Sequence, residues 1–426
     1  MGQGVLTAAF PRIDRVLYCE AVPLDRIASA VGTPAYVYSA SQIRDRLRAL
    51  DAALESVPHR VHYTLKANSS RALLRLMRDL GAGVEVVSGG ELSRARHAGY
   101  SPSEIIFGGV GKTEAELCEA IEAGILMLNV ESESELRVVS RLATSLRAPA
   151  RVSIRVNPDV AVDTSHDYIK TGERGHKFGI LYPDALRVAL LAASLPNVTL
   201  VGLDMHLGSM IANSEPYREG TARLVRLCRE IRDAGVRTLE YLDVGGGFGI
   251  QYEEEQPLDL DAFAAAVIPL VREVGLTLVV EPGRYIVGES GVLVTRVLYR
   301  KASGGKQFVI ADAGMTDLLR PSLYNAYHRI EAVRAVDRAT VVDVVGPVCE
   351  SGDFLALDRV VDDAAPGDLL AIFDVGAYGY AMASNYNSRR RGAEVLVEGD
   401  RFAVVTARES YEDLVRLEID QPEWRS

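Results

Sequence analysis

The sequence predicts an α/β protein, with a (β/α)8 TIM-like barrel and a second, all-β domain of β-sandwich or Greek-key-like type. Eight short β-rich runs alternate with amphipathic segments between residues 60 and 283, which is typical of βα units in a parallel sheet. After Gly291 the helical pattern stops, and β-rich runs follow one another. Because strand number alone does not prove closure, an open doubly wound sheet remains the alternative architecture.

The eight runs are short, and most of them end in polar or glycine residues. In chain order they are RVHYTLKA (60–67), GVEVVS (83–88), IIFGG (105–109), LMLNV (126–130), RVSIRVN (151–157), LVGLDMHLG (200–208), YLDVGGGFG (241–249) and TLVVEPGR (277–284). Three of the helices between them are expected to end at Gly81, Gly124 and Gly235, because glycine commonly ends helices. Eight strands is the number that closes a TIM barrel, so the closed architecture is favoured.

We expect the barrel to occupy residues 36–290 and the β domain to combine residues 1–35 with residues 291–426. The N-terminal stretch PLDRIASAVGTPAYVYS predicts one short helix and one strand that pack onto the second domain. The β-rich runs of that domain are VLVTRVLYRK, QFVIADAG, TVVDVVGP, DLLAIFDVG, EVLVEGD and RFAVVTA.

Composition excludes several classes of function. The 426 residues carry a net charge of -11, which argues against nucleic acid or an anionic membrane as a partner. No run reaches membrane-spanning length, and the N-terminus lacks the pattern of a signal peptide. The four cysteines form no CxxC pair, so neither a metal site nor a disulfide framework is expected. These features predict a cytoplasmic protein that acts on a small molecule.

Two stretches resemble nucleotide-binding motifs but have the wrong spacing. GGVGKT at 108–113 would need a glycine at position 106 to be a P-loop, and that residue is Ile106. GGGFG at 245–249 lacks the last glycine of G-x-G-x-x-G, because residue 250 is isoleucine. We therefore expect neither a nucleoside triphosphate nor a dinucleotide.

Residues that can support chemistry fall at the ends of the strand runs, where TIM barrels carry their active sites. Lys66 ends the first run, and Glu281 and Arg284 end the eighth. Gly245–Gly247 ends the seventh run, and three residues without Cβ atoms would let backbone N–H groups converge on an anion. His206 ends the sixth run, where it can stack on a flat ring or serve as a hydrogen-bonded interior histidine.

A lysine, an anion-binding loop and an acid at strand ends together predict pyridoxal 5′-phosphate as cofactor. Lysine can bind its aldehyde, and partial burial would lower the pKa of Lys66 toward a reactive amine. Glu281 can keep the pyridine nitrogen protonated, which makes the ring an electron sink.

The sequence resembles the diaminopimelate decarboxylase family, whose members are fold-type III pyridoxal-phosphate enzymes of lysine biosynthesis. The resemblance rests on YTLKAN, VSGGELSRARHAG, HKFGI, HLGS, GGGFG, EPGRY, DAGMTDLLRPSLYNAYH, GPVCESGD and GAYG, which span both predicted domains. It implies a carboxy-lyase that converts meso-2,6-diaminopimelate to L-lysine and CO2. It also implies a homodimer with shared active sites, in which CESGD of one chain completes the site of the other.

The resemblance assigns roles by position. Lys66 would bind the aldehyde, Glu281 would pair with the pyridinium nitrogen, and His206 would stack on the ring. The residues assigned to the phosphate or its surroundings are Ser209, Gly245, Gly246, Gly247, Arg284 and Tyr378. Those assigned to the substrate are Arg284, Arg320, Tyr324, Glu350 and Tyr378. Cys349 would be catalytic, because it would protonate the carbanion that CO2 leaves behind.

The predicted substrate residues also make chemical sense. Arg320 and Tyr324 are four apart in RPSLYNAYH, so in a helix both could face one substrate carboxylate. Glu350 beside Cys349 offers an acceptor for a substrate ammonium. This pair of charges suits a substrate whose distal end is zwitterionic, whereas lysine or ornithine would need only acidic groups.

Two alternative functions remain. A paralogous decarboxylase could act on ornithine, lysine, carboxynorspermidine or a carrier-bound amino acid, although the intact RPSLYNAYH segment argues against it. A non-catalytic relative could bind a partner protein, but it should have lost Lys66, Cys349 or the glycine loop, and all three are present.

Overall fold

The computed structural model describes residues 9–162 and 176–424. The chain divides into two compact units. The barrel unit is Ile43–Gly288, and the sheet unit combines the described residues up to Gln42 with those from Glu289 onward.

The described chain begins with short strands and two helices. They are β1 (Arg12–Ile13), β2 (Val16–Cys19), β3 (Val22–Pro23), α1 (Leu24–Val31), β4 (Ala35–Ser39) and α2 (Ala40–Leu54). β1, β2 and β3 form a small antiparallel sheet that the sequence did not predict, because strands of two to four residues are too short to show alternation.

The barrel unit contains a ring of eight parallel strands. Including one short additional strand, β10, the strands of this unit in chain order are β5 (His59–Thr64), β6 (Gly83–Val86), β7 (Ile105–Phe107), β8 (Met127–Val130), β9 (Ala150–Asn157), β10 (Ile180–Leu181), β11 (Val198–Asp204), β12 (Tyr241–Asp243) and β13 (Thr277–Val280). Apart from β10, which pairs with β9, each strand pairs with the next, and β13 pairs back with β5. The predicted closed barrel is therefore confirmed.

Helices connect the strands of this barrel. They are α3 (Arg71–Asp79), α4 (Gly89–Ala98), α5 (Glu114–Ala123), α6 (Glu133–Leu146), α7 (Tyr182–Ser194), α8 (Glu215–Asp233), α9 (Leu260–Val274) and α10 (Arg284–Val287). At the start of α5, Thr113 accepts a hydrogen bond from the backbone of Glu116, and the Glu116 carboxylate accepts one from the backbone of Thr113. The same helix ends at Gly124 in the left-handed conformation, as predicted.

The sheet unit continues after the barrel with eight strands and two short helices. They are β14 (Gly291–Ser303), β15 (Lys306–Ala311), α11 (Arg320–Tyr324), β16 (Ile330–Ala332), β17 (Ala339–Val345), β18 (Phe354–Asp362), β19 (Leu369–Ile372), β20 (Ala393–Glu398), β21 (Arg401–Thr406) and α12 (Tyr411–Val415). The main sheet has the order β18-β17-β15-β14-β4-β20-β21, and β19 pairs with β14 and β16. The predicted strand-rich second domain is confirmed. Sequence reasoning missed β18, because it is an edge strand whose FLALDRVVD run carries charges between its apolar residues.

The N-terminal strand β4 belongs to the sheet unit. It pairs antiparallel with β14 and parallel with β20, and Val37 of β4 is buried with Val294 and Val395 in one apolar core. The predicted boundary at residue 36 falls inside this strand, whereas the division between the units follows Gln42. No helix in the described part of the chain is both long and apolar enough to cross a bilayer.

Candidate active site

Lys66 lies two residues beyond the end of β5, in a single turn of 3-10 helix at Leu65–Ala67. It therefore follows the strand rather than ending it as predicted. Its Nζ lies 3.2 Å from Thr64 Oγ1 and 3.4 Å from Glu85 Oε2. The lysine side chain is 37% exposed, while Glu85 in β6 is buried. The amine is thus accessible and lies beside a buried carboxylate.

Lys112, the lysine of the P-loop-like stretch, has a different environment. Its side chain is fully buried, and Nζ donates to Gly109 O at 2.7 Å, Asn129 O at 2.8 Å and Glu135 Oε1 at 2.7 Å. An ammonium has three donors, so all of them are used within the protein. Lys112 therefore has a structural role.

Gly245–Gly247 forms the turn after β12, and backbone contacts explain why glycine is needed there. A Cβ on Gly245 would collide with Met205 O, one on Gly246 with Glu281 O, and one on Gly247 with Gly208 O. Gly245 and Gly247 also have positive φ values of 71° and 89°. The turn is therefore packed against the backbone of the two neighbouring strand ends.

The N–H groups of this turn are arranged differently from the prediction. Gly245 N donates to Asp243 Oδ1 at 2.9 Å, and Gly246 N donates to His206 Nδ1 at 3.3 Å. Two of the three N–H groups expected to converge on an anion are therefore bonded to protein side chains.

The hydrogen bond from Gly246 determines the state of His206. Because Nδ1 accepts this hydrogen bond, the neutral ring carries its proton on Nε2. Burial lowers the pKa of His206 well below its ordinary value, and the positive charges of Lys66 and Arg155 lower it further. His206 is therefore a neutral imidazole at physiological pH.

Three buried carboxylates come together at the ends of neighbouring strands. Asp204 ends β11, Asp243 ends β12 and Glu281 directly follows β13, and one oxygen of each lies within 4.8 Å of the others. Asp204 Oδ1, Asp243 Oδ2 and Glu281 Oε1 are buried and have no hydrogen-bond partner among the described residues. This arrangement offers acceptors to a ligand that brings a donor or a positive charge.

Burial raises the pKa values of all three acids, and neighbouring carboxylates raise them further. Burial raises the pKa of Asp243 to about 7. For Glu281, burial and then Asp243 raise the pKa well above its usual range, while Lys66 acts in the opposite direction. The pKa of Asp204 is also raised, by burial and then by Asp243, against the effect of Arg155. The influence of Lys66 on Glu281 shows that the amine and the acid belong to one cluster.

Arg284 is buried at the N-terminus of α10 and is held by two hydroxyl groups. Its Nη1 donates to Tyr252 Oη at 2.7 Å, and its Nη2 donates to Ser209 Oγ at 3.3 Å. The structure therefore brings the predicted pair Ser209 and Arg284 together. Tyr252 was missed, although it lies only three residues after the seventh run, because a tyrosine in the acidic QYEEEQ stretch belongs to no recognised motif.

The remaining predicted residues lie in the sheet unit. Arg320 is the first residue of α11 and is buried, whereas Tyr324 is its last residue and is partly exposed. The segment is thus helical, as the four-residue spacing required. Tyr378 has a positive φ of 58° in the GAYG turn.

Cys349 and Glu350 lie on an exposed loop that hydrogen bonds hold in place. Cys349 N donates to Asn387 Oδ1 at 2.8 Å. The loop is linked to α11, because Ser322 Oγ donates to Gly352 O at 2.5 Å. Arg320, Tyr324, Cys349 and Glu350 thus lie on two connected segments.

Asp353 fixes this loop and was missed by sequence reasoning. Its buried carboxylate accepts hydrogen bonds from Met315 N and Val348 N, both at 2.6 Å. A Cβ on Gly314 or on Gly346 would collide with the same carboxylate. The only signal in the sequence was its position at the end of GPVCESGD, where a loop aspartate has many ordinary explanations.

We expect Asp243→Asn to flatten the pH dependence of stability of the ligand-free protein. With its pKa raised from 3.8 to about 7, the folded protein binds this proton more tightly than the unfolded chain. Stability should therefore fall as pH rises from about 4 to about 7. Over this range the free energy of unfolding of the variant should fall by up to about 4 kcal/mol less than that of wild type, because one pKa unit corresponds to about 1.36 kcal/mol.

Thermal unfolding at a series of pH values between 4 and 8 measures this difference. The exposed Asp233→Asn is the control and should follow the wild-type profile. Parallel profiles for wild type and Asp243→Asn would contradict the assignment.

Comparison with known proteins shows the family to which the chain belongs. The family model described as pyridoxal-dependent decarboxylase, pyridoxal binding domain, matches residues 40–288. A diaminopimelate decarboxylase of Aquifex aeolicus is 44% identical over 410 residues, covering 96% of each chain. The crystal structure of diaminopimelate decarboxylase from Helicobacter pylori complexed with L-lysine has a TM-score of 0.89 at 40% identity, covering 93% of this chain and 99% of that one.

A second solved structure gives the same result. Diaminopimelate decarboxylase from M. jannaschii in complex with L-lysine has a TM-score of 0.92 at 34% identity, covering 97% of this chain and 98% of that one. Both units are therefore covered by relatives of one kind. The chain belongs to the diaminopimelate decarboxylase family of pyridoxal-dependent decarboxylases.

Proposed function

We propose that this chain removes CO2 from meso-2,6-diaminopimelate and releases L-lysine, with pyridoxal 5′-phosphate as its cofactor. The observation that carries the proposal is the barrel rim, where the accessible amine of Lys66 shares one charge cluster with the buried carboxylate of Glu281. L-lysine, which is bound in the Helicobacter pylori relative, is the product of this reaction.

The rim residues fit a phosphorylated pyridine aldehyde. Glu281 Oε1 is buried without a hydrogen-bond partner in the described part of the chain, and a protonated ring nitrogen would supply the missing donor. The three clustered carboxylates could also coordinate a cation by their spacing. The adjacent Lys66 and the family match favour the pyridine ring.

The barrel residues hold this cofactor and tune it. Bound pyridoxal phosphate supplies an aldehyde that condenses with amines and a ring that accepts electrons from the bond being broken. Lys66 binds the aldehyde, and Thr64 and Glu85 keep its amine at the rim. Glu281 bonds the ring nitrogen. His206 contributes a flat, neutral face, which adds no charge against a protonated ring.

The phosphate is assigned to the residues around the glycine turn. Arg284 supplies a guanidinium already held by Ser209, which limits the ordering that binding requires. The turn Gly245–Gly247 is assigned to the same anion by family position, since two of its N–H groups are bonded to Asp243 and His206. Tyr378 is assigned to the same anion by family position only.

The sheet unit supplies recognition of the substrate. Arg320 binds the distal carboxylate, with Tyr324 and Tyr378 beside it, and Glu350 accepts from the distal ammonium. Cys349 carries an exposed thiol, which donates a proton to the substrate carbon that has lost CO2.

The runner-up is a paralogous decarboxylase for a basic amino acid such as ornithine or lysine. Such a substrate would place a distal ammonium near Arg320, and two positive charges in a buried site repel each other strongly. The buried guanidinium therefore favours a substrate with a distal carboxylate. Measuring CO2 release from meso-diaminopimelate, L-lysine and L-ornithine separately distinguishes the two, and the first substrate should be strongly preferred.

We expect borohydride reduction of the loaded enzyme to fix the cofactor on Lys66, as peptide mapping will show. Lys66→Ala should yield no labelled peptide and no measurable decarboxylation. Lys112 serves as an internal control, since its ammonium is fully buried among three acceptors. A label on Lys112 or Lys177 would contradict the assignment.

We expect Arg320→Ala to raise KM for diaminopimelate strongly. Removing one partner of a buried charge pair costs about 2–5 kcal/mol, which is about 30-fold or more in affinity. Turnover of an analogue that lacks the distal carboxylate should change much less. Equal increases in KM for the two substrates would mean that Arg320 does not bind the distal carboxylate.

We also propose a cytoplasmic homodimer in which the Cys349 loop of one chain completes the site of the other. Two points support this proposal. The resemblance implies that CESGD completes the site of the other chain, and Lys66 lies in one unit while Cys349 lies in the other. The four cysteines are all free, as is usual for thiols in a reducing compartment.

Mixing inactive variants tests the shared site. Lys66→Ala and Cys349→Ala homodimers should each be nearly inactive, but a mixed two-fold dimer would keep one intact site. After dissociation and random reassembly about half of the dimers are mixed, so activity should recover to roughly a quarter of wild type. Complete exchange, verified by mass, without recovery would place each site within one chain.

A further inference from the structure

We propose that His328 is a positioning residue that orients the guanidinium of Arg320 for the distal carboxylate of the substrate. The inference rests on the proposed function, which gives Arg320 that carboxylate. It concerns the histidine of RPSLYNAYH, a residue to which the resemblance assigned no role.

The geometry determines which nitrogen of His328 carries the proton. The ring is fully buried, with Nε2 at 2.8 Å from Arg320 Nη1 and Nδ1 at 2.7 Å from Phe373 O. A guanidinium has only donors, so Nε2 must accept, and a carbonyl oxygen only accepts, so Nδ1 must donate. Both contacts are satisfied together by the neutral ring with its proton on Nδ1.

A neutral acceptor is well suited to this position. The hydrogen bond fixes the orientation of the Arg320 fork without cancelling its charge, whereas a carboxylate at position 328 would neutralise the guanidinium and compete with the substrate carboxylate. A charged, preoriented guanidinium binds a carboxylate with less loss of side-chain freedom. His328 thus affects substrate affinity without touching the substrate.

The backbone on both sides of this contact is itself held in place by hydrogen bonds. Phe373 directly follows β19, and its N–H donates to Arg329 O at 2.9 Å, so the carbonyl that His328 bonds belongs to a fixed strand end. The backbone oxygen of His328 accepts from Arg359 Nη1 at 3.1 Å. The chain reaches Tyr378 five residues after Phe373. His328 therefore couples the helix of Arg320 to the segment that carries a second predicted substrate residue.

Steady-state kinetics of four variants tests the proposal: His328→Phe, His328→Gln, Arg320→Ala and the double variant His328→Phe with Arg320→Ala. Phenylalanine keeps most of the ring volume but removes both nitrogens. Loss of a hydrogen bond to a charged group predicts a rise of KM for diaminopimelate of roughly 10- to 100-fold, with a much smaller change in kcat. In the Arg320→Ala background the same change should alter KM less than about twofold, because the group it positions is gone.

The conservative variant separates positioning from simple packing. Glutamine keeps one donor and one acceptor, so His328→Gln should retain KM within about threefold of wild type. Borohydride labelling of Lys66 should be unchanged in every variant, because the change lies in the other unit. If His328→Phe does not fold, a folded His328→Gln with a KM as high as that of Arg320→Ala would still overturn the proposal.

The outcomes distinguish a failure of the role proposed for Arg320 from a failure of the role proposed for His328. An unchanged KM in Arg320→Ala would overturn the proposed role of Arg320, and with it the reason for positioning it. A raised KM in Arg320→Ala, with no change in His328→Phe or with fully additive effects in the double variant, would overturn only the role of His328.

Discussion

The burial of three carboxylates at neighbouring strand ends is the constraint on which the barrel rim depends. Asp204, Asp243 and Glu281 repel one another where little water can screen them, so the protein alone does not stabilise all three in the charged form. Asp243 also accepts the N–H of Gly245, which joins the acid cluster to the glycine turn. A ligand that brings a positive, hydrogen-donating group relieves both the repulsion and the missing bonds.

The fold could be predicted from sequence because its signals are local. Alternating apolar residues and helix-ending glycines lie next to the elements that they define. They favoured the closed barrel that the structure shows, but closure itself is seen only in the pairing of β13 with β5. The predicted reason for the glycine turn was incomplete, because its constraint is not local. The backbone oxygens of Met205, Gly208 and Glu281 exclude a Cβ there, and they come from strands that are remote in sequence.

Local signals indicated only part of the candidate site, and the roles of its residues rest on the resemblance. Lys66 was recognisable at a strand end, but only the structure separates it from Lys112, since the difference is exposure and the number of partners. His328 and Asp353 act by supporting other residues, and a supporting residue leaves no pattern in a single sequence. Their roles depend on contacts with Phe373 and Met315, which only the folded chain brings near.

The close packing around the Asp353 carboxylate restricts which substitutions the Cys349 loop can accept. Gly314 and Gly346 both face this carboxylate, with no room for a Cβ on either. Adding a side chain at either glycine causes a collision, and removing the carboxylate leaves two N–H groups, one buried and one partly buried, without this acceptor. Transplanting this loop into another scaffold to alter specificity would therefore require moving the aspartate and both glycines as one set, including a glycine that lies outside the transplanted segment.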